Sequence, residues 1–395
     1  MKNPFFLSLI ALSVLTSCSS NDEETYINIE TTYPAIEAEF GSSIDLQNLE
    51  NYANQSIPTY ITKNNGSLNP ITDKGATLGR ILFYDKKLSV NNSVSCASCH
   101  KQELAFGDNS ISSTGVNGTT GRHSMRLINT RFAAESKFFW DERAASLEIQ
   151  TTMPIKDHGE MGYSGSDGDA SFSDLILKLS DVDYYKELFK FVYGSEEVTE
   201  NKIQLALAQF IRSIQSFDSK YDVGRATAVN DGMPFANFTL QENNGKNLFM
   251  TPPVFNAAGV RTGGGIGCAG CHKAPEFDID PNSRNNGIIG KISGTGIDIT
   301  NTRAPSLRDV VAPDGTPNGQ MMHTGVFTSL QAVIGHYGTI NVAPGNTNLD
   351  QRLQHGGNGQ HLNLNANEVN AVIAFIQTLS GTAVYTNPKW SSPFN

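Results

Sequence analysis

The chain has 395 residues, with 39 acidic against 29 basic side chains, a net charge of −10 and a pI near 5.3. That length exceeds one ordinary hydrophobic core and fits two domains, and the acidic balance argues against nucleic acid or a polybasic membrane patch. Its five cysteines leave no disulfide framework: four stand as two close pairs and the fifth, Cys18, ends an N-terminal apolar segment.

In chain order, Lys2, an apolar run over residues 5–15 and the sequence Leu15-Thr16-Ser17-Cys18 read as a secretory signal over residues 1–18. Ending on Cys18, it resembles a bacterial lipoprotein signal, which makes Cys18 the lipidated residue. The acidic stretch over residues 19–24 resembles the tether of Bacteroidetes lipoproteins. Residues 19–60 as a whole read as polar linker and lead-in. The expected address is an exported lipoprotein of a Gram-negative bacterium, facing the periplasm or associated with the outer membrane, with a lipid anchor as its membrane contact.

Residues 72–85 carry apolar side chains at helical spacing behind a Thr72/Asp73 cap, and predict a helix. A loop over residues 88–95 then delivers Cys96-Ala97-Ser98-Cys99-His100, which returns later as Cys268-Ala269-Gly270-Cys271-His272. Two thiols three positions apart can add across the two vinyl groups of a haem, and the following imidazole can meet its iron. Chance would give two such patterns in roughly one chain per million of this length. A zinc ribbon needs its cysteine pairs about 15–20 residues apart, and neither it nor a redox dithiol requires a histidine after both pairs. Two covalently bound haem c groups follow, held by Cys96, Cys99, His100, Cys268, Cys271 and His272. The glycine content fits long loops wrapped round such groups.

The sequence LGRILFYD-x-x-LS ahead of the first motif, then Ala105-Phe106-Gly107-Asp108 and Phe139-Trp140-Asp141-Glu142-Arg143-Ala144, is similar to the N-terminal haem domain of bacterial di-haem cytochrome c peroxidases. Leu147, Gln150, Pro154 and Glu160-Met161-Gly162 extend the resemblance, which runs from about residue 72 to 380. It implies that Glu160 and Gln150 occupy the distal pocket of the first haem. Cleaving hydrogen peroxide needs a base that takes a proton from one oxygen and returns it to the departing one, and a carboxylate oriented by a neighbour can do both. The resemblance also places Trp140 between the haems as an electron bridge. His123 stands where the family usually carries Asn, several positions beyond a histidine that ligates the resting peroxidatic iron in many members. It reads as a structural or supporting residue, so the first iron is expected to be open without reductive activation. The same Asn normally helps hold a calcium ion between domains, so an implied calcium lacks that ligand here.

Farther on, residues 175–191 and 201–222 each show i, i+3, i+4 apolar spacing, the second resembling the family's long interdomain helix. Residues 242–249 predict a helix leading to a glycine-rich loop at 263–267. No strand precedes that loop, so it is not read as a phosphate site. The segment from Arg303 to Asp309 resembles one in which Arg308 approaches a haem propionate. Met322-His323-Thr324-Gly325 matches a family motif with Thr324 in place of Asp. Counting on to where electron-transfer members place an axial Met, this chain has Tyr337, with Met321 and Met322 too early. A phenolate there favours ferric iron and resembles the methylamine-utilisation branch, whose members oxidise a tryptophan-bearing precursor protein. The rival reading makes Tyr337 a packed aromatic, with His336 or nothing on the iron. Residues 365–379 predict a closing helix with an Asn cap.

The expected fold is mainly α, with two cytochrome c-like haem domains and long loops, a peroxidatic one over 61–225 and an electron-transfer one over 226–395. The last helix is expected to pack back on the first domain. The expected function is reduction of hydrogen peroxide, with a small cytochrome c or cupredoxin as donor and a homodimer as one assembly. Peroxide-driven oxidation of a protein substrate is the alternative enzyme, and a haem electron carrier or sensor is the alternative outside enzymes.

Overall fold

The computed structural model describes residues 32–134, 137–279 and 283–394; the signal segment, Cys18 and the acidic tether lie outside the described residues. The fold is mostly helical. In chain order the helices are α1 (Pro34–Phe40), α2 (Asp73–Tyr84), α3 (Cys96–Cys99), α4 (Leu147–Thr152), α5 (Phe172–Ser180), α6 (Asp183–Tyr193), α7 (Glu200–Ser213), α8 (Lys220–Thr227), α9 (Leu240–Met250), α10 (Leu330–Gly338) and α11 (Ala366–Gln377). Strand structure in the described residues is confined to short antiparallel pairs, such as His272–Lys273 with Asp278–Ile279. No helix among the described residues is long and apolar enough to cross a membrane.

Two helix crossings organise the body, α2 on α7 and α9 on α11. Thr72 caps α2 by accepting the Gly75 N–H, and Asn365 caps α11 through a reciprocal pair with Glu368. At the first crossing a Cβ on Gly79 would strike the Ala206 carbonyl; at the second, a Cβ on Gly245 would strike the Ala371 carbonyl. Glycine is therefore what lets the backbones approach. One turn on, the rings of Phe83 and Phe210 meet tilted at 5.2 Å between centroids, and those of Phe249 and Phe375 meet edge to face at 5.2 Å. Phe106 joins the first pair 6.0 Å from Phe83, and Phe277 joins the second 5.9 Å from Phe249. The two halves repeat one small aromatic core, each beside a Cys-x-x-Cys-His.

Four expectations need correction. The single helix over 175–191 is two, α5 and α6, because the chain turns at Asp181-Val182. The long helix over 201–222 stops at Ser213. The Asn129 side chain accepts the Ser216 N–H at 2.9 Å and donates to the Ser216 carbonyl at 3.1 Å, and the Ile214 carbonyl accepts the Asn129 N–H, so this stretch is held extended until Ser219 caps α8. Residues 34–60 are not loose lead-in: Ile36, Phe40 and Tyr52 are buried, and Glu187 accepts the N–H groups of Ala35 and Ile36 at the start of α1. Finally, α11 stays with α9, and the tail beyond it returns to the first half. There Arg80 donates to the Ser391 carbonyl, Tyr84 to that of Trp390, and Gln102 to those of Val384 and Asn387.

Candidate di-haem active site

The first motif forms the short helix α3, opened by a Ser95/Ser98 capping box. The chain then turns through Ala105 and Phe106, both at positive φ, which aims the Phe106 carbonyl at His100 Nδ1, 3.2 Å away. With Nδ1–H donated there, Nε2 keeps its lone pair for a metal. The second motif repeats the device: His272 Nδ1 lies 3.1 Å from the Pro305 carbonyl and 3.3 Å from that of Phe277, again at positive φ. Burial lowers both imidazoles, His272 to about 4, which favours the neutral form a ligand needs.

Each motif faces its own cavity. Cys96, Cys99 and His100 line one of about 690 Å³, together with Gln150, Glu160 and Leu207. His100, Gln150 and Glu160 also border a wider cleft of about 1540 Å³. Cys268, Cys271 and His272 line another cavity of about 1540 Å³, mouth included, walled mainly by apolar side chains such as Phe249, Leu330 and Ile376. A largely apolar wall with two thiols and an imidazole on it suits a covalently held macrocycle. The thiols are unbridged, and burial pushes Cys96 and Cys268 up to about 12 and Cys99 to about 11. Redox dithiols need depressed values, and one zinc site needs both pairs together; neither holds.

A half-buried cation completes the fit. Arg126 borders both the cleft and the second cavity, its Nε has no hydrogen-bond partner, and a 3.3 Å bond to the Ser306 carbonyl engages Nη2. Burial brings it down to about 10, opposed by Tyr385 and Asp309. A guanidinium so placed matches the carboxylates that a haem carries. Arg308, the expected propionate contact, is spent elsewhere. It is fully buried, its fork grips both Asp222 oxygens at 2.9 Å and the Pro275 carbonyl, and it borders neither cavity. Arg126 was missed because nothing marks it beyond its place six residues before Phe132, whereas the paired Arg308 sits in a family-like motif.

Glu160 lies on the wall of the first cavity, where burial pushes its carboxyl up to about 7, Asp157 adding to the rise and Arg143 opposing it. Asp157 also shapes the turn that presents it: Oδ1 accepts the N–H of Gly159 at 2.9 Å and of Glu160 at 3.0 Å, and its carbonyl accepts those of Met161 and Gly162. Gln150 reaches the same cavity from the last turn of α4. Trp140 borders both the cleft and the second cavity, and its Nε1–H donates to the His123 carbonyl at 2.7 Å. The His123 ring is buried, with Nδ1 2.8 Å from the Ser110 carbonyl.

Tyr337, on α10, borders the second cavity together with Cys271 and Met322. Burial raises its phenol; the adjacent Asn286 amide works the other way. His336 turns elsewhere, its Nε2 2.9 Å from the Asn286 carbonyl.

A family model described as di-haem cytochrome c peroxidase matches residues 73–228. The methylamine utilization protein MauG of Methylorubrum extorquens is 31% identical over 283 residues, covering 68% of this chain and 70% of that protein. The cytochrome c551 peroxidase of Nitrosomonas europaea is 27% identical over 322 residues, covering 78% and 80%. Among solved structures, a MauG-like protein associated with microbial copper homeostasis superposes with a TM-score of 0.63 at 26% identity, covering 86% of this chain and 99% of that one. The diheme peroxidase BthA of Burkholderia thailandensis shares the fold, with a TM-score of 0.60. With two half-buried Cys-x-x-Cys-His motifs, each on the wall of its own cavity, and these relatives, the chain belongs to the di-haem cytochrome c peroxidase family and is an oxidoreductase with covalently bound haem c.

Proposed function

We propose that the protein reduces hydrogen peroxide to water at its first haem, with electrons from a small cytochrome c or cupredoxin arriving through the second. The observation that carries this reading is Glu160, poised at about 7 on the same cavity wall as Gln150 and His100. The haems, when bound, supply the electrons and the iron centre at which the O–O bond is cleaved. Cys96 and Cys99 would hold the first and Cys268 and Cys271 the second, with His100 and His272 offered to the irons, Tyr337 bordering the second site and Arg126 available to the haem carboxylates.

Glu160 takes the proton from one peroxide oxygen and returns it to the other, and Gln150 orients the peroxide by hydrogen bonding. A carboxyl near 7 is close to isoenergetic for both transfers at neutral pH. The full reduction consumes two electrons and two protons and yields two waters. Trp140, bordering the cleft and the second cavity, offers the electrons an aromatic path between sites. The two haem units are read as residues 61–225 and 226–395. Cys18 is read as the lipid attachment point of an exported chain; Cys18→Ser should release the protein from membranes, and continued membrane binding rejects the anchor.

A second reading is favoured by Tyr337 in the second cavity and by the MauG relatives: peroxide-driven oxidation of a protein substrate. Mixing peroxide with the holoenzyme and reduced cytochrome c separates the two. Catalytic oxidation of the cytochrome supports the peroxidase; peroxide consumed without it supports the second reading.

A further inference from the structure

Three side chains with metal-binding atoms, Met322, His336 and Tyr337, converge on one residue at the second cavity. The Asn286 carbonyl is 2.9 Å from His336 Nε2, and Asn286 Nδ2 is 3.5 Å from both Tyr337 Oη and Met322 Sδ. The amide orientation is fixed, because Asn286 Oδ1 accepts the Ile288 N–H at 3.1 Å, which leaves the NH₂ group facing the phenol and the sulfur. The segment is itself anchored. Asn285, fully buried, forms a reciprocal amide pair with Asn346 at 2.8 and 2.9 Å, and Asp350 accepts the Arg284 N–H. Asn286, Met322 and Tyr337 all border the cavity; His336 does not.

We propose that Asn286 is a positioning residue that sets the distal side of the second haem, its carbonyl keeping His336 away and its amide donating to the Tyr337 oxygen. A donor aimed at a phenol oxygen stabilises negative charge there and weakens what that oxygen gives to a metal. A thioether is a poor acceptor, so the amide engages the Tyr337 oxygen rather than the Met322 sulfur. Removing the amide therefore strengthens phenolate donation, which favours ferric iron. The inference rests on the proposed placement of Tyr337 at the second haem and adds the residue that governs it.

The test is a spectroelectrochemical titration of the holoenzyme, read by optical and EPR spectra, for wild type, Asn286→Leu, Asn286→Asp, Tyr337→Phe and the double variant Asn286→Leu/Tyr337→Phe. Both Asn286 variants keep the backbone carbonyl for His336, and retention of two haems per chain certifies folding. The expected result is a lower midpoint potential and an altered spectrum for the second haem alone in each Asn286 variant, with the double variant indistinguishable from Tyr337→Phe. If Tyr337→Phe changes the second haem while the Asn286 variants do not, or if Asn286→Leu has the same effect with and without the tyrosine, the proposal fails and the Tyr337 reading stands. If Tyr337→Phe changes neither haem, both fall.

Discussion

Replacing Glu160 by Gln keeps the shape of the side chain and removes its proton chemistry. Loss of a positioned acid–base group costs about 10²–10⁴-fold in rate, so peroxide turnover at pH 8 should fall by about that factor with both haems retained. In wild type the base must be ionised. With the carboxyl near 7, about nine-tenths is ionised at pH 8 and about a tenth at pH 6, so turnover should drop by roughly an order of magnitude across that interval. Stability should move the opposite way. The folded carboxyl sits near 7 against an ordinary 4.5, so the folded state binds more protons than the unfolded one between those values. Unfolding free energy therefore declines as pH rises through that window, by about 3 kcal/mol in all. Glu160→Gln lacks this decline: it should match wild type near pH 4 and be more stable at pH 8 by as much as about 3 kcal/mol. Urea unfolding at the two pH values, beside steady-state peroxide assays, measures both effects. A variant with more than a tenth of wild-type turnover at pH 8, or a wild-type profile without an inflection near 7, would refute the assignment.

Other consequences are as direct. Arg126→Gln should shift the midpoint potentials of both haems, because the guanidinium borders both the cleft and the second cavity; redox titration measures this. Arg308→Met should leave both spectra unchanged but cost about 3–5 kcal/mol on denaturation, because it strands the Asp222 carboxylate in the core. Gly79→Ala and Gly245→Ala should each lose about 1–3 kcal/mol in urea unfolding, since each forces a methyl group into a backbone carbonyl. Trp140→Phe should retain both haems and slow single-turnover electron transfer between them in stopped-flow absorbance, since it loses the indole and its bond to the His123 carbonyl.

Much of the site was legible because its chemistry is written in adjacent residues. A thiol pair followed by histidine needs three fixed positions, and local turns deliver them in both halves. Helix caps were equally local: Thr72 and Asn365 stand where their sequences place them. Misreadings came where a distant group overrides the local pattern. Apolar spacing continues past Ser213, yet the Asn129 amide, 87 residues away, holds Ser216 extended. Arg308 looked free in sequence because Asp222, its bidentate partner, lies 86 positions upstream. Asp157 and Asn286 act through turns and amides with no motif of their own. One signal was present and unread. Gly79 to Phe83 with Ala206 to Phe210 has the spacing of Gly245 to Phe249 with Ala371 to Phe375, an internal repeat that extends the paired cysteine motifs to the helices above them.

Reduction of peroxide at the first haem with electrons relayed from the second has a fixed stoichiometry. Reduced cytochrome c or cupredoxin is mixed with limiting hydrogen peroxide and catalytic holoenzyme at pH 8, and donor oxidation is followed optically. Two donor equivalents should be oxidised per peroxide, with the rate collapsing in Glu160→Gln. Peroxide consumption that leaves every donor reduced, or that proceeds equally well in Glu160→Gln, would contradict it.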